Sequence, residues 1–190
     1  MQYQTLLKRI VTLISSPAKA WEEIVHQDVR SVFMDFVYPM IGLCGLSALI
    51  GALFNYGWSG PESFQKAMMD CCAVAVSLFG GYFMAAFFMN EVGVHFLHMQ
   101  NRLALSRHFV GYAMVVYLLV QLVVGILPNL KGIGLVCQVY MVYVIWEGAP
   151  IVMKVKDNKR LSYTLICAAL VYGCPTVIRI VFDYLSGNYI

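Results

Sequence analysis

The residues most able to do chemistry in this chain are acids in apolar surroundings. Asp35, Asp70, Glu91 and Glu147 all stand inside or beside long hydrophobic runs. An ionisable side chain at the centre of a membrane helix costs ~2.5–3.5 kcal/mol on insertion scales, so each is a candidate functional group. Because successive runs cross in opposite directions, Asp35, Glu91 and Glu147 all fall in or near the half of the membrane on one side, with no obvious cation inside the runs to match them. Lys154, about two turns from Glu147, is the nearest in sequence. Converging Asp35 and Glu147 would form a polar pocket in which like charges favour a retained proton. That makes Asp35, Glu147 and Glu91 a candidate ion or proton site. Asp70 and Arg179 lie toward the opposite end, and their charges predict a pair that ties two helices together.

Glu91, His95 and His98 in "NEVGVHFLHMQ" share a helical face at i, i+4 and i+7. The spacing could present three metal ligands, but it is not the H-E-x-x-H arrangement of a hydrolytic zinc site, and His108 is ten residues beyond. A polar helix end at the membrane surface is the simpler expectation. Cys44, Cys71, Cys72, Cys137, Cys167 and Cys174 sit in apolar runs without a CxxC pair, as buried small hydrophobes do. The chain contains no nucleophile elbow, phosphate-cradling glycine loop or dinucleotide fingerprint. These observations point away from an enzyme and call for no cofactor.

The elements that must position these groups follow from composition. Hydrophobic residues make up 61% and charged residues 12% of the 190 residues, about half the charge of ordinary soluble domains. An all-α integral membrane protein is the reading. A ~30 Å hydrocarbon core needs about 20 helical residues, and five stretches qualify: about 31–54, 67–92, 107–127, 131–153 and 161–182. "PNLK" between the third and fourth forces an antiparallel hairpin, and "NYGWSGPESFQK" is a true turn region.

Charge sets the orientation. Lys8, Arg9, Lys19, Arg30, Arg102, Arg107, Lys154, Lys156, Lys159 and Arg160 fall on one side, against Lys66, Lys131 and Arg179 on the other. The N-terminus is therefore expected in the cytoplasm and the C-terminus outside, in the inner membrane of a cell. Tyr56, Trp58, Tyr184 and Tyr189 would form an outer interfacial belt. The net charge of +3 is too small and scattered to suggest nucleic acid.

Residues 1–30 form a separate amphipathic segment ahead of a five-helix domain over 31–190. Lys8 and Arg9 interrupt any lipid-spanning face, which excludes both a sixth span and a cleavable signal. Ser16 can cap a second short helix with Pro17 at its first position, carrying Trp21, Ile24 and Val25 opposite Lys19 and Glu22. The two helices either lie on the inner leaflet or pack on the cytoplasmic end of the bundle.

Span two carries Ala73, Ser77, Gly81 and Ala85 four apart, a ridge that admits a close neighbour, with Ala169 and Gly173 as a shorter counterpart on span five. Internal packing is the plain reading of the ridge and a homo-oligomer seam the other. In "DFVYPMIG", Pro39 lacks an N–H, so the Asp35 carbonyl loses its helical donor and a bend is expected. Tyr112 is a candidate donor to that node.

Several of these residues together resemble the Yip family of Ypt/Rab-GTPase-interacting membrane proteins, in its short prokaryotic branch. "DFVYP" keeps the Asp-to-Pro spacing of a D-L-Y-G-P-like motif through Asp35 and Pro39. Gly111 and Tyr112 in "HFVGYAM" look similar to a third-span "GY" motif, and "SSPAKAWEEI" matches a proline and aromatic followed by acids through Pro17 and Trp21. The resemblance implies five spans with a cytoplasmic N-terminus. Val37 and Tyr38 depart from the eukaryotic motif, so Rab binding is not carried over. The resulting expectation is a membrane protein without enzymatic activity that binds the bilayer and a cytoplasmic protein partner, or organises the membrane. The alternative is a small transporter or proton pathway through Asp35 and Glu147.

Overall fold

A computed structural model describes residues 2–26, 32–58, 60–97 and 102–187. Arg30, His98 and Tyr189 lie outside the described residues. Every element described is helical. Two short helices, α1 (Gln2–Ser15) and α2 (Pro17–Val25), precede a π-helical turn (Phe33–Val37) that runs directly into α3 (Tyr38–Tyr56). They are followed by α4 (Pro61–Leu97), α5 (Leu103–Ala113), α6 (Val115–Ile126), α7 (Lys131–Val152) and α8 (Asp157–Leu185).

Four helices are long and apolar enough to cross a membrane: Phe33–Tyr56, Pro61–His95, Pro128–Val152 and Asp157–Leu185. The expected third span is different. It is broken into α5 and α6, bent by 44° at Met114, and makes a fifth crossing when the pair is taken as one. No proline lies at that bend.

Pro39 does not end or start its helix. The proline ring would press on the carbonyl four residues back, and a wider turn relieves that contact. Here the Tyr38 N–H bonds to the Phe33 carbonyl, five residues away. The span thus runs through the proline for 24 residues, long enough to cross.

Helix α4 is central, packed on α8 and α3, with α3 in turn on α6. Ala73, Ser77, Gly81 and Ala85 are all buried. A Cβ at Gly81 would meet the Pro175 Cα at 2.8 Å, so the ridge of α4 receives the backbone of α8. The α8 partner face is Ala168, Val171, Cys174 and Pro175, whereas Ala169 is exposed and Gly173 half-buried. A proline ring thus fills the place where the sequence suggested a glycine. Gly51 and Gly125 make a second close approach, since a Cβ on Gly51 would overlap the Gly125 carbonyl.

Helices α1 and α2 pack into the bundle. Leu6, Ile10, Leu13, Trp21 and Ile24 share one apolar core with the spans. Ser16 occupies the N-cap position and Pro17 opens α2, but the Ser16 side chain makes no capping bond.

Candidate functional site at the basic end

Along α8, Arg160 and Arg179 stand nineteen residues apart, about 28 Å of helix rise. That separation matches a hydrocarbon core and gives the bundle two polar levels. Arg9, Arg107, Glu147 and Arg160 belong to the first, basic level, while Asp70 and Arg179 belong to the opposite one.

At the basic level the motif residues converge. The Arg9 guanidinium donates to the Tyr112 hydroxyl over 3.2 Å. The Tyr112 ring lies 4.8 Å from Phe36 and edge-on to Trp21 at 6.3 Å. Asp35, half-buried on the π turn, is within electrostatic reach of the same phenol. Gly111 brings the two segments together, because a Cβ there would lie 3.1 Å from methyls of both Val32 and Val37. Gly111–Tyr112 and Asp35–Pro39 are thus two sides of one contact.

Trp21 closes this node from above. Its ring is fully buried, stacks on Phe109 at 5.1 Å, and donates its indole N–H to the Val144 carbonyl over 2.9 Å. Gly148 makes room for it, since a Cβ there would lie 2.7 Å from the indole nitrogen.

Residues 11–178 match the family model described as the Yip1 domain. The chain belongs to the Yip1 domain family. Comparison with curated proteins and with solved structures found no match to either. The match takes in Trp21, Asp35, Gly111, Tyr112 and Glu147, and begins two residues after Arg9.

Glu147 of this Yip1 domain is not left without a cation. Pro150 lies inside α7 and has no N–H, so the Trp146 carbonyl lacks its helical donor. Arg160 supplies two, through Nε at 3.0 Å and Nη2 at 2.8 Å. Its guanidinium lies 4.3 Å from the Trp146 ring and 3.8 Å from the Glu147 carboxylate. The partner near Glu147 is therefore Arg160, from the far side of the α7–α8 turn, and not Lys154. Sequence reasoning missed it, although "WEGAP" signals the vacant carbonyl by placing a proline four residues after Trp146.

Glu91 pairs with His95 at 3.3 Å, and both are exposed or nearly so. His98, the third residue of that candidate metal group, is outside the described residues. Among the described residues no group of three or more His, Cys, Asp or Glu is placed to hold a metal ion. Asp35, Glu91 and Glu147 do not line any of the three principal cavities.

At the opposite level, Arg179 bonds Asp70 at 3.1 Å and also Asp183 at 3.0 Å. Asp183 was not singled out from the sequence, although it stands one helical turn from Arg179 on the same face.

Proposed function

We propose that this Yip1 domain acts without enzymatic chemistry, organising the membrane from its cytoplasmic face through the α1–α2 hairpin. In this reading the basic level faces the cytoplasm, as the excess of Lys and Arg there requires. The observation that carries it is the position of the hairpin tip. The Tyr140 hydroxyl donates to the Ile14 carbonyl over 2.7 Å. Tyr140 stands seven residues from Glu147 along α7, about 10 Å of rise toward the membrane centre.

The Ser16 N–H bonds the Thr12 carbonyl, Ala20 N–H bonds the Ser16 carbonyl, Tyr140 serves Ile14, and Pro17 has no N–H to satisfy. Leu7, Val11 and Ile14 remain 61%, 62% and 40% exposed on one stripe of α1, a surface fit for acyl chains. Lys19 extends its apolar stem and returns its ammonium to the headgroups. A hairpin inserted to this depth enlarges one leaflet only.

The test is reconstitution of fluorescently labelled protein into vesicles of mixed diameter, with density read vesicle by vesicle. Density should rise as diameter falls. It should become independent of diameter when Leu7→Ser, Val11→Ser and Ile14→Ser are combined. Equal density of the unaltered protein at all diameters would overturn the proposal.

Transport through Asp35 and Glu147 is the other reading of the same end. Arg160 and Arg9 stand against it, as each places a fixed cation at or near one of the acids. Proton flux into proteoliposomes lost in both Asp35→Asn and Glu147→Gln would establish it instead.

A further inference from the structure

At the basic level a cavity of about 320 Å³ opens among α4, α5 and the end of α7. Its polar lining is Asn90, Arg102, Ser106 and Lys154, and Met89 and Val152 belong to its apolar wall. Arg102 stands five residues ahead of Arg107, and Lys154 follows the last turn of α7, seven residues past Glu147. Both cations therefore lie beyond the level that Glu147 and Arg160 mark, at the depth of lipid headgroups.

The charge in this cavity is of one sign. Arg102 and Lys154 are both exposed, and among the described residues no carboxylate lines the cavity with them. Lys154 joins no ion pair among the described residues. Glu91, beside Asn90 in sequence, is taken up by His95 at 3.3 Å. The polar wall is firmly held, since Asn90 is only 6% exposed and Ser106 only 2%. The Asn90 side-chain oxygen accepts the Arg102 backbone N–H over 3.0 Å, which pins the start of α5 to α4.

Lys154 occupies its place under strain. Its φ of 53° is left-handed, at the position after a helix end where glycine is the usual residue. A glycine would close α7 more easily, but it would leave the cavity without its second cation.

We propose that this cavity binds the phosphate of an anionic lipid, with a phosphomonoester headgroup as the best match. Basic pockets between membrane helices on the cytoplasmic side suit such headgroups. A phosphomonoester carries about −1.5 to −2 charges at pH 7, which Arg102 and Lys154 together balance. The apolar wall at Met89 and Val152 meets the carbon skeleton that carries the phosphate. A zwitterionic headgroup brings a cation of its own toward the two basic side chains and is disfavoured. The site shares no residue with the hairpin, so either reading can fail alone.

The probe is dioleoylphosphatidic acid, with dioleoylphosphatidylcholine as the zwitterionic control. Binding to the full chain in detergent micelles is titrated by native mass spectrometry. The phosphatidic acid should bind at least tenfold more tightly than the phosphatidylcholine. Lys154→Gly should weaken that binding fivefold or more at equal or higher thermal stability, because glycine relieves the backbone. Arg102→Gln should weaken it similarly, whereas Lys156→Gln, at an exposed position outside the cavity, should leave it unchanged. Equal binding of the two lipids, or undiminished binding in the Lys154→Gly protein, would overturn the proposal. So would a loss in Lys156→Gln as large as that in Lys154→Gly, the mark of diffuse attraction to the basic surface. Displacement of the lipid by equimolar glycerol 3-phosphate would give the cavity to a soluble phosphate and overturn the lipid assignment.

Discussion

The indole N–H of Trp21 donates to the carbonyl of Val144 across 2.9 Å. This one bond joins α2 to α7 over 123 residues of sequence, and it docks the N-terminal hairpin on the bundle.

Gly148 is the floor of that contact, so Gly148→Ala should expel the ring. The new methyl would overlap the indole, and overpacking of this kind costs about 1–3 kcal/mol. Trp21→Ala removes the whole ring and should cost about 3–5 kcal/mol, whereas Trp21→Phe loses chiefly the hydrogen bond, about 1 kcal/mol. Unfolding in mixed micelles, followed by tyrosine and tryptophan fluorescence, ranks the three variants. Equal stability of Trp21→Ala and the unaltered chain would mean the hairpin is not docked as described.

Arg160 and Pro150 should be coupled. Arg160→Lys keeps the charge beside Glu147 but cannot donate twice to the Trp146 carbonyl or lie flat on its ring. Bonds from a charged donor contribute about 1.5–3 kcal/mol, so the substitution should destabilise on that scale. Pro150→Ala restores the helical N–H, and in that background Arg160→Lys should cost measurably less. A double-mutant cycle with no coupling would sever the link between the proline and the arginine.

The α4–α8 contact makes a sharper demand at Gly81 than at Ser77. A Cβ at Gly81 meets backbone and ring atoms of Pro175, which cannot swing aside. Gly81→Ala should destabilise by about 1–3 kcal/mol. Ser77→Ala should cost less than about 1 kcal/mol, because the Ser77 hydroxyl only returns to its own helix at Val74. Thermal unfolding in detergent checks the order, and the reverse order would contradict the packing.

Much of the fold was legible because lipid imposes length and hydropathy on a span. The five apolar stretches, the Asp35–Pro39 and Gly111–Tyr112 motifs and the Asp70 and Arg179 positions could all be read from the chain. Hydropathy carries no record of direction, so the 44° bend between α5 and α6 was invisible. The cations that meet the polar groups of the basic level were hidden for another reason. Arg9 reaches Tyr112 across 103 residues, and Arg160 was read as a topological charge rather than as a donor. The docking of the hairpin on α7 was the least legible feature, since it depends on Tyr140 and Gly148, neither of which is unusual in its own segment.

The central claim is that the Ser15–Ser16–Pro17 turn lies within the inner leaflet, and depth is the direct measurement. A nitroxide attached through Ser15→Cys, in a chain whose exposed and half-buried cysteines Cys71, Cys72 and Cys137 are replaced by serine, reports it by collision with oxygen and with a water-soluble nickel chelate. Ser15 is exposed at the tip, so a label there leaves the packed face intact. High oxygen and low nickel accessibility, corresponding to about 10 Å below the phosphates, is the predicted result. A nickel-accessible label, as free in water as one on the α7–α8 turn, would contradict the account.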